Sequence, residues 1–542
     1  MKIERILIED QMAPIGLDEK KPAFSWLLTA EEGEQNLMQS ACRIVVRTGE
    51  DTVWDSGKME TGVSTGIGYE GEALQPCTKY EVKAEVWDNH GGKAEAESSF
   101  ETGLMDSLYA AWEGAEWIGA PHATVCAENR GVFTIESEFR MEGGKGEAGI
   151  VFGANDFRLN DHTKNELGME GENYIRYVVC LEDGDARLEI YRVGYAPEDT
   201  VEKPFAVTKL VNWKEKTQEI LTPENADAFH KLTVEVDGNV AYAYVDGILV
   251  DAIEEHGFFG TKVSGRQLNP RGNNDVLPYP RLNEIGFYAG KGTTGYFKNL
   301  TVRNVRKPSA EIVRETPEGR LDGGKSIFAD QIPVENGYFK VEDSQITADP
   351  SHHSIPMLRS CISCQKEKKL ASARLYITAR GIYDCRINGQ EITEDLLRPG
   401  LTQYDHRMNY QTYDITGLMK PGRNGIGVTL ASGWWSEAQT FVVKNFNYFG
   451  DKESLLAKVV MKYEDGSREV FGTNTEDWKY FGEGPYLFSS YFAGEQYDAR
   501  RAEVYETYSL PEFDDSTWEK PVVVDTVMIE EFCTMPGFGR SW

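Results

Sequence analysis

Apolar and polar residues alternate with a period of two along much of the chain. Residues 80–87, 231–236 and 373–377 each place an apolar side chain at every second position. This alternation predicts β-strands that bury one face. The pairs Asp246-Gly247 and Asn388-Gly389 fall between such runs, and Asx-Gly pairs supply the positive φ angles that tight hairpins need. Because no long segment shows the 3.6-residue period of an amphipathic helix, we predict an all-β fold with few helices.

The predicted strands group into three units. Residues 1–105 form a fibronectin-III-like β-sandwich. Residues 130–305 resemble a concanavalin-like (laminin-G-like) jelly roll, whose closing pattern IGFYAG…GYFKNLTVRN is typical of such domains. Residues 112–125 together with 310–535 form a further jelly-roll/galactose-binding-like sandwich. The middle unit is then an insertion in a loop of the third unit, since exposed loops tolerate insertions best.

Composition narrows the classes of function. The chain has 542 residues, 11% of them aromatic, and no apolar run approaches the roughly 18 residues that a membrane helix needs. Acidic residues outnumber basic ones by 88 to 57, and the resulting net charge of −31 would repel nucleic acids and anionic membranes. Neutral partners such as sugars carry no such penalty. Eight cysteines are too sparse for a disulfide scaffold, and the start of the chain has no apolar signal core, so we expect a cytoplasmic protein.

A series of motifs in the second half of the chain carries a family resemblance. Residues 371–389 read ASARLYITARGIYDCRING, 397–405 read LRPGLTQYD, 410–416 read YQTYDIT and 513–518 read FDDSTW. In this order the motifs resemble the N-terminal region of bacterial α-L-rhamnosidases of glycoside hydrolase family 78. The opening segment PIGLDEKKPAFSW is similar to the first β-domain of the same family.

The resemblance implies a function that depends on a further domain. In the family, a helical (α/α)₆ barrel follows the β-domains and carries the carboxylates that release terminal α-L-rhamnose. No residue of this chain aligns with that barrel, so no catalytic residue is assigned. We therefore expect accessory carbohydrate-binding and structural β-domains. Their expected partners are a rhamnose-containing oligosaccharide or glycoside and a catalytic barrel that belongs to a longer chain or to a second protein. Two alternatives are an active glycoside hydrolase and a purely structural scaffold that packs on a barrel.

The candidate sugar site centres on two adjacent tryptophans. Sugar binding needs aromatic platforms and short polar groups. Trp434 and Trp435 follow Gly433, and two neighbours in a strand cannot both face the core, so one of them should reach a surface or an interface. The alternative is packing against a neighbouring domain. Further candidates for the same neighbourhood are Tyr404, Asp405, Asn445 and Tyr448.

A weaker candidate is a metal site in the middle unit. Asn155, Asp156, Asn160 and Asp161 follow the apolar run at 149–153, and oxygen-rich loops can hold Ca²⁺. The spacing matches no dedicated calcium loop, and a solvated loop is the alternative interpretation. Calcium is thus a possible cofactor, and the sequence predicts no other.

Overall fold

The structure is a computed structural model of the chain. It describes residues 1–121, 132–155, 172–182, 185–196, 198–206, 211–212, 220–222, 224–237, 240–254, 282–305, 307–321, 324–350, 354–436, 449–450, 452–491, 494–524 and 531–534. Within these ranges the chain is built almost entirely of antiparallel sheets, as the alternation of apolar residues predicts.

The first unit is a sandwich of a three-stranded and a four-stranded sheet. The sheets have the orders β1-β2-β5 and β4-β3-β6-β7. Trp26 and Tyr80 are almost unexposed and pack with Phe24 and Phe100 between the sheets. The strands of this unit, followed by β8 from the linker after it (residues 102–121), are β1 (Lys2–Ile8), β2 (Ala23–Thr29), β3 (Gln39–Thr48), β4 (Asp51–Asp55), β5 (Ile67–Gly68), β6 (Lys79–Asp88), β7 (Lys93–Glu101) and β8 (Ile118–Gly119).

The middle unit consists of two larger sheets that enclose one apolar core. Leu232, Val234 and Val236 of β15 point into this core, which explains their alternation in the sequence. The strands are β9 (Val132–Met141), β10 (Gly146–Ala154), β11 (Tyr174–Glu182), β12 (Asp185–Val193), β13 (Phe205–Ala206), β14 (Val211–Asn212), β15 (His230–Asp237), β16 (Val240–Val245), β17 (Ile248–Glu254), β18 (Glu284–Ala289), β19 (Thr294–Phe297), β20 (Leu300–Asn304), β21 (Lys307–Thr316), β22 (Gly319–Arg320), β23 (Val334–Glu335), β24 (Tyr338–Glu342) and β25 (Gln345–Ala348).

These sheets continue beyond residue 305, where the sequence analysis places the end of the middle unit. β21 pairs with β20, β24 pairs with β19, and β25 pairs with β18. Phe339 and Val341 of β24 belong to the same core as the earlier strands. The boundary differs because these strands complete sheets whose other members lie far away in sequence, which a local pattern does not reveal.

The third unit is a sandwich of a five-stranded and a seven-stranded sheet. Their orders are β29-β28-β31-β26-β34 and β37-β8-β32-β27-β30-β38, with β33 paired to β32. β8 lies between β32 and β37, so a strand from before the middle unit completes a sheet formed after it. The strands are β26 (Met357–Cys364), β27 (Leu370–Arg380), β28 (Ile382–Ile387), β29 (Gln390–Glu391), β30 (Arg407–Asp414), β31 (Gly422–Ala431), β32 (Ser454–Tyr463), β33 (Arg468–Gly472), β34 (Lys479–Phe481), β35 (Tyr486–Ser490), β36 (Gly494–Tyr497), β37 (Val522–Val523) and β38 (Glu531–Thr534).

Helical structure in the described residues is limited to single turns and short segments. The 3₁₀ turns are Tyr109–Trp112, Glu142–Gly144, Thr416–Leu418 and Ala499–Arg501, and the α-helical segments are Gly433–Ser436 and Ala502–Thr507. No helix in the described ranges has the length and apolar character to cross a membrane.

The first and third units meet at a buried aromatic junction. Leu104 and Trp112, from the segment that leaves β7, pack with Tyr376 of β27 and Tyr410 of β30. The rings of Trp112 and Tyr410 meet edge to face with their centroids 5.9 Å apart. The segment that leaves β7 thus packs against the seven-stranded sheet of the third unit. The cleft described below lies beside the other, five-stranded sheet.

Candidate binding site

The two tryptophans of the candidate site lie in a helical turn rather than in a strand. β31 ends at Ala431, and Gly433–Ser436 forms one α-helical turn. Gly433 has φ +52°, and a Cβ there would come within 2.7 Å of Ile382 Cγ1, so glycine is required for this turn. The strand interpretation of Trp434 and Trp435 is wrong, because a helical turn separates neighbouring side chains by about 100° rather than 180°.

Trp435 belongs to the buried aromatic core and not to a surface. It is 7% exposed, and its ring lies 5.8 Å from that of Tyr404 and 6.3 Å from that of Phe449, measured between centroids. The Arg380 guanidinium lies 5.2 Å from its ring centre. Trp435 therefore packs among side chains of its own unit rather than at a surface.

Tyr404 is also buried, which corrects its assignment as a sugar contact. It is 1% exposed, and its hydroxyl donates a hydrogen bond of 2.7 Å to the Gly400 carbonyl. Burial raises the pKa of Tyr404 well above its usual range. Neither Tyr404 nor Trp435 presents a ring face to a ligand from solvent.

The remaining predicted residues of the candidate sugar site differ in exposure, and the structure describes only some of them. Asp405 is exposed, with its carboxylate 3.8 Å from Nε2 of the neighbouring His406. Asn445 and Tyr448 lie outside the described residues, so their predicted roles stay predictions. Among the predicted aromatic residues that the structure describes, only Trp434 is half-buried, and its ring is tilted by 35° against that of Tyr491 with 4.6 Å between the centroids.

Tyr491 and Gly433 place Trp434 beside a cleft of about 300 Å³ on the third unit. One wall is the five-stranded sheet, and the other is the β35–β36 hairpin together with the loop that carries two exposed leucines. The lining residues are Ile355, Ile382, Asp384, Leu396, Leu397, Thr429, Leu430, Ala431, Gly433, Tyr486, Ser489, Tyr491, Glu495 and Tyr505. Sequence reasoning missed most of them because they come from six separate segments.

Tyrosines supply the aromatic surface of the cleft. Tyr486 meets Tyr505 and Tyr497 edge to face, at centroid distances of 5.2 and 4.9 Å. Burial raises the pKa of Tyr486 and of Tyr505, so both phenols keep their protons at neutral pH. The rings therefore combine apolar faces with hydroxyl groups that can donate hydrogen bonds.

Two carboxylates add hydrogen-bond acceptors to the cleft. Asp384 is well exposed and accepts a hydrogen bond of 2.5 Å from Arg398, whose guanidinium is 4% exposed and lies 5.0 Å from the Tyr383 ring centre. Glu495 accepts a weaker hydrogen bond of 3.4 Å from Ser489. Aromatic faces with a few fixed polar groups suit a neutral polyhydroxy ligand.

The predicted metal site is only partly described. Asn155 has φ +52° directly after β10, and its amide donates a hydrogen bond of 2.8 Å to Glu284, which also accepts one from Thr347. Asp156, Asn160 and Asp161 lie outside the described residues. Within the described ranges, no three His, Cys, Asp or Glu side chains are grouped as a metal would require. Calcium binding stays a prediction.

Two protein families match separate parts of the chain. Residues 3–106 match the family described as Rha78A-like, N-terminal immunoglobulin domain, and residues 368–533 match the α-L-rhamnosidase N-terminal domain. The α-L-rhamnosidase of Streptomyces avermitilis is 26% identical over 521 residues, which cover 94% of this chain and 44% of that protein. An α-L-rhamnosidase of Formosa agariphila is 37% identical over 152 residues, or 28% of this chain and 16% of that protein.

A solved structure agrees with the fold over nearly the whole chain. The crystal structure of the Streptomyces avermitilis α-L-rhamnosidase complexed with L-rhamnose superposes with a TM-score of 0.54 at 20% identity, covering 98% of this chain and 46% of that chain. The chain thus spans less than half the length of this relative. Together the matches show that residues 3–106 and 368–533 are N-terminal domains of the kind found in α-L-rhamnosidases.

Proposed function

We propose that this chain provides accessory β-domains of an α-L-rhamnosidase and binds sugar in the cleft beside Trp434. The observation that carries the proposal is the ring contact between Trp434 and Tyr491 at the edge of a cleft that also holds Asp384 and Glu495. The expected ligand is a neutral rhamnose-containing oligosaccharide or glycoside, because the relatives are α-L-rhamnosidases and the cleft offers aromatic faces and acceptors.

Catalysis is assigned to a helical barrel, in a longer chain or a partner, rather than to these β-domains. Inverting hydrolysis of a glycoside needs a general acid and a general base about 6.5–9.5 Å apart on the two sides of the bond. In the described residues the only carboxylates of the cleft are Asp384, already bound to Arg398, and Glu495 at the rim. We therefore propose that the isolated chain binds sugar without hydrolysing it.

A purely structural role is the second candidate, and one observation favours it. Leu396, Leu397 and Leu401 are 76%, 50% and 52% exposed on one loop beside the cleft. A cluster of exposed leucines is costly unless another surface covers it. A catalytic barrel that packs on this loop would cover the cluster, and the β-domains would then stabilise the barrel without contacting sugar.

The test combines calorimetric titration of L-rhamnose with an assay on an aryl α-L-rhamnoside. The purified chain is compared with Trp434→Ala and Tyr491→Phe, and with Trp87→Ala as a control. Trp87 is a half-buried tryptophan of the first unit that contacts Lys58 and Lys93 and does not line the cleft. Thermal melting of each variant checks that it is folded.

Saturable binding that is lost in Trp434→Ala, weakened in Tyr491→Phe and kept in Trp87→Ala is the expected result. Binding that survives Trp434→Ala in a folded variant would place the sugar site elsewhere. Turnover above the blank would overturn the non-catalytic role. Neither binding nor turnover would leave the scaffold as the better explanation.

A further inference from the structure

A loop of the third unit, residues 393–401, forms one side of the cleft. Its backbone is attached to β28, because the Tyr383 N–H donates a hydrogen bond of 3.1 Å to the Arg398 carbonyl. Leu396 and Leu397, which directly precede Arg398, line the cleft and are exposed to solvent. This side of the cleft is therefore aliphatic.

The β35–β36 hairpin forms the other side of the cleft. The Ile355 N–H donates a hydrogen bond of 2.8 Å to the Tyr486 carbonyl, which attaches the hairpin beside the start of β26. β31 lies between β28 and β26 in the sheet, so the loop and the hairpin stand on opposite sides of β31. Tyr486, Ser489 and Glu495 line the cleft from the hairpin and contribute an aromatic ring, a hydroxyl and a carboxylate. A ligand in the cleft would thus meet aliphatic groups on one side and aromatic and polar groups on the other.

The sheet between the loop and the hairpin is divided in a similar way. In the register of β28 and β31, Ile382 lies opposite Ala431, and Asp384 lies opposite Thr429. All four residues line the cleft, since alternate residues of a strand share one face. The apolar pair and the polar pair are neighbours along the strands, so the surface beneath a ligand is apolar at one end and polar at the other. This arrangement suits an amphipathic ligand.

Leu397 has a backbone conformation that leucine rarely adopts. Its φ is +59°, in the left-handed region where glycine and asparagine are favoured. Residues in sparsely populated conformations persist at functional positions, where the surrounding structure holds them. The next residue, Arg398, is buried and donates a hydrogen bond to Asp384, which holds the loop at this point. Because the backbone would accept asparagine more readily, the reason for a leucine here lies in its side chain.

We propose that Leu396 and Leu397 form a subsite for an aliphatic group joined to the sugar, so that the ligand of the cleft is an alkyl or acyl glycoside. The inference rests on the proposed function, since the sugar itself is taken to lie against Trp434 and the hairpin. A pyranose ring is bound by flat aromatic faces and polar groups, and exposed leucine side chains offer neither. An alkyl chain, in contrast, gains free energy when it and the leucine methyl groups leave water together. The cleft of about 300 Å³ lies within the size range of pockets for small-molecule ligands.

The experiment compares ligands that differ only in the length of the aliphatic group. L-Rhamnose and the methyl, butyl and hexyl α-L-rhamnosides are titrated into the full chain by calorimetry. The variants are Leu396→Ser and Leu397→Asn, and asparagine is chosen because it accommodates the positive φ of that position. Leu108→Ser is the matched control, because Leu108 is an exposed leucine of the linker that does not line the cleft. Thermal melting checks that each variant is folded.

We expect the hexyl rhamnoside to bind about ten- to a hundredfold more tightly than the methyl rhamnoside. A fully buried CH₂ group contributes about fourfold in affinity, and an open cleft covers only part of the chain. Leu396→Ser and Leu397→Asn should each reduce this gain and leave the affinity for L-rhamnose unchanged. Leu108→Ser should alter neither.

The outcomes separate the subsite from the sugar site. Equal affinity for all four ligands would overturn the subsite and leave the proposed function intact. A gain with chain length that persists in both Leu396→Ser and Leu397→Asn would place the aliphatic group elsewhere and also overturn it. Binding of the hexyl rhamnoside alone, lost in the leucine variants but kept in Trp434→Ala, would support the apolar subsite and contradict the proposed sugar site. If none of the four ligands binds, both proposals fail, and a covering domain becomes the better explanation for the exposed leucines.

Discussion

The phenol of Tyr410 donates a hydrogen bond of 2.6 Å to Asp18, 392 residues earlier in the chain. The same oxygen accepts a hydrogen bond of 2.9 Å from the backbone N–H of Leu104, and the other carboxylate oxygen of Asp18 accepts one of 2.8 Å from the N–H of Met105. Tyr410 is fully buried. One side chain of the third unit thus connects the opening loop of the first unit to the linker that leaves it.

Tyr410→Phe should destabilise the chain through this connection. The substitution keeps the ring but removes the donor to Asp18 and the acceptor for Leu104, which leaves buried polar groups without partners. We expect a loss of about 1–3 kcal/mol in the free energy of unfolding, measured by urea denaturation. Tyr497→Phe is the control, because Tyr497 is 45% exposed and its hydroxyl has water available. Equal stability of Tyr410→Phe and the wild-type chain would show that this connection contributes nothing.

Arg374→Met should weaken the attachment of the first unit to the third. Arg374 holds Glu101 with two hydrogen bonds of 2.6 and 2.5 Å, and both side chains are largely buried. Because the substitution leaves the largely buried Glu101 unpaired and also removes the pair with the exposed Asp414, we expect a loss of about 2 kcal/mol, between the values for exposed and buried pairs. A double-mutant cycle with Glu101→Gln isolates the coupling between the two residues. Lys369→Met breaks an exposed pair with Glu464 and should cost little; a loss as large as that of Arg374→Met would mean that burial is not the cause.

The stability of the chain should fall at low pH partly through Glu113. The hydrogen bond from Arg468 is the main reason that the pKa of Glu113 is lowered from 4.5 to about 2, and Lys458 adds to the effect. A carboxyl group whose pKa is lower in the folded state stabilises that state fully above its unfolded pKa and loses the contribution as pH falls through the folded pKa.

The window for this effect therefore runs from about pH 4.5 down to pH 2. In urea denaturation across that window, Glu113→Gln should show a shallower decline of stability with falling pH than the wild-type chain. Glu506→Gln, an exposed residue of the segment Ala502–Thr507, should follow the wild-type curve. Identical slopes for Glu113→Gln and the wild-type chain would contradict the prediction.

The two adjacent tryptophans should differ sharply when each is replaced by alanine. Trp435 fills the core between Tyr404 and Phe449, and its loss should cost about 3–5 kcal/mol, as for other large-to-small core substitutions. Trp434 is half-buried and its main ring contact is with Tyr491, so Trp434→Ala should cost clearly less. Urea denaturation of the two variants measures this difference directly. Equal losses in the free energy of unfolding would show that Trp434 is also a core residue.

Local features of the fold could be predicted because local sequence causes them. The turns Asp246-Gly247 and Asn388-Gly389 have φ angles of +49° and +80°, and of +53° and +82°, and each joins two paired strands as predicted. The strand at 231–236 lies within β15 and buries the side chains that alternation selects. In these cases a pair of adjacent residue types, or an alternation with a period of two, is enough to predict the local structure.

The candidate site could be predicted only in part. The Gly-Trp-Trp motif lies beside the cleft, since Gly433 and Tyr491, the ring partner of Trp434, line it, and sugar binding there stays a prediction. The assignment of Tyr404 and Trp435 failed, because both rings pack on Phe449, which no spacing in the sequence links to them. Tyr486 and Tyr505 gave no signal, since each becomes part of a site only when its segment packs beside the five-stranded sheet.

By itself, the sequence determined the all-β class, the hairpin turns and the family of the domains, because alternation, Asx-Gly pairs and ordered motifs are all read along the chain. Only the tertiary structure decided which tryptophan lies beside the cleft and where the sheets of the middle unit end. Each of these depends on strands that pair across long separations in sequence. Side-chain burial and ion pairing are consequences of that pairing, so they are not fixed until the sheets have formed.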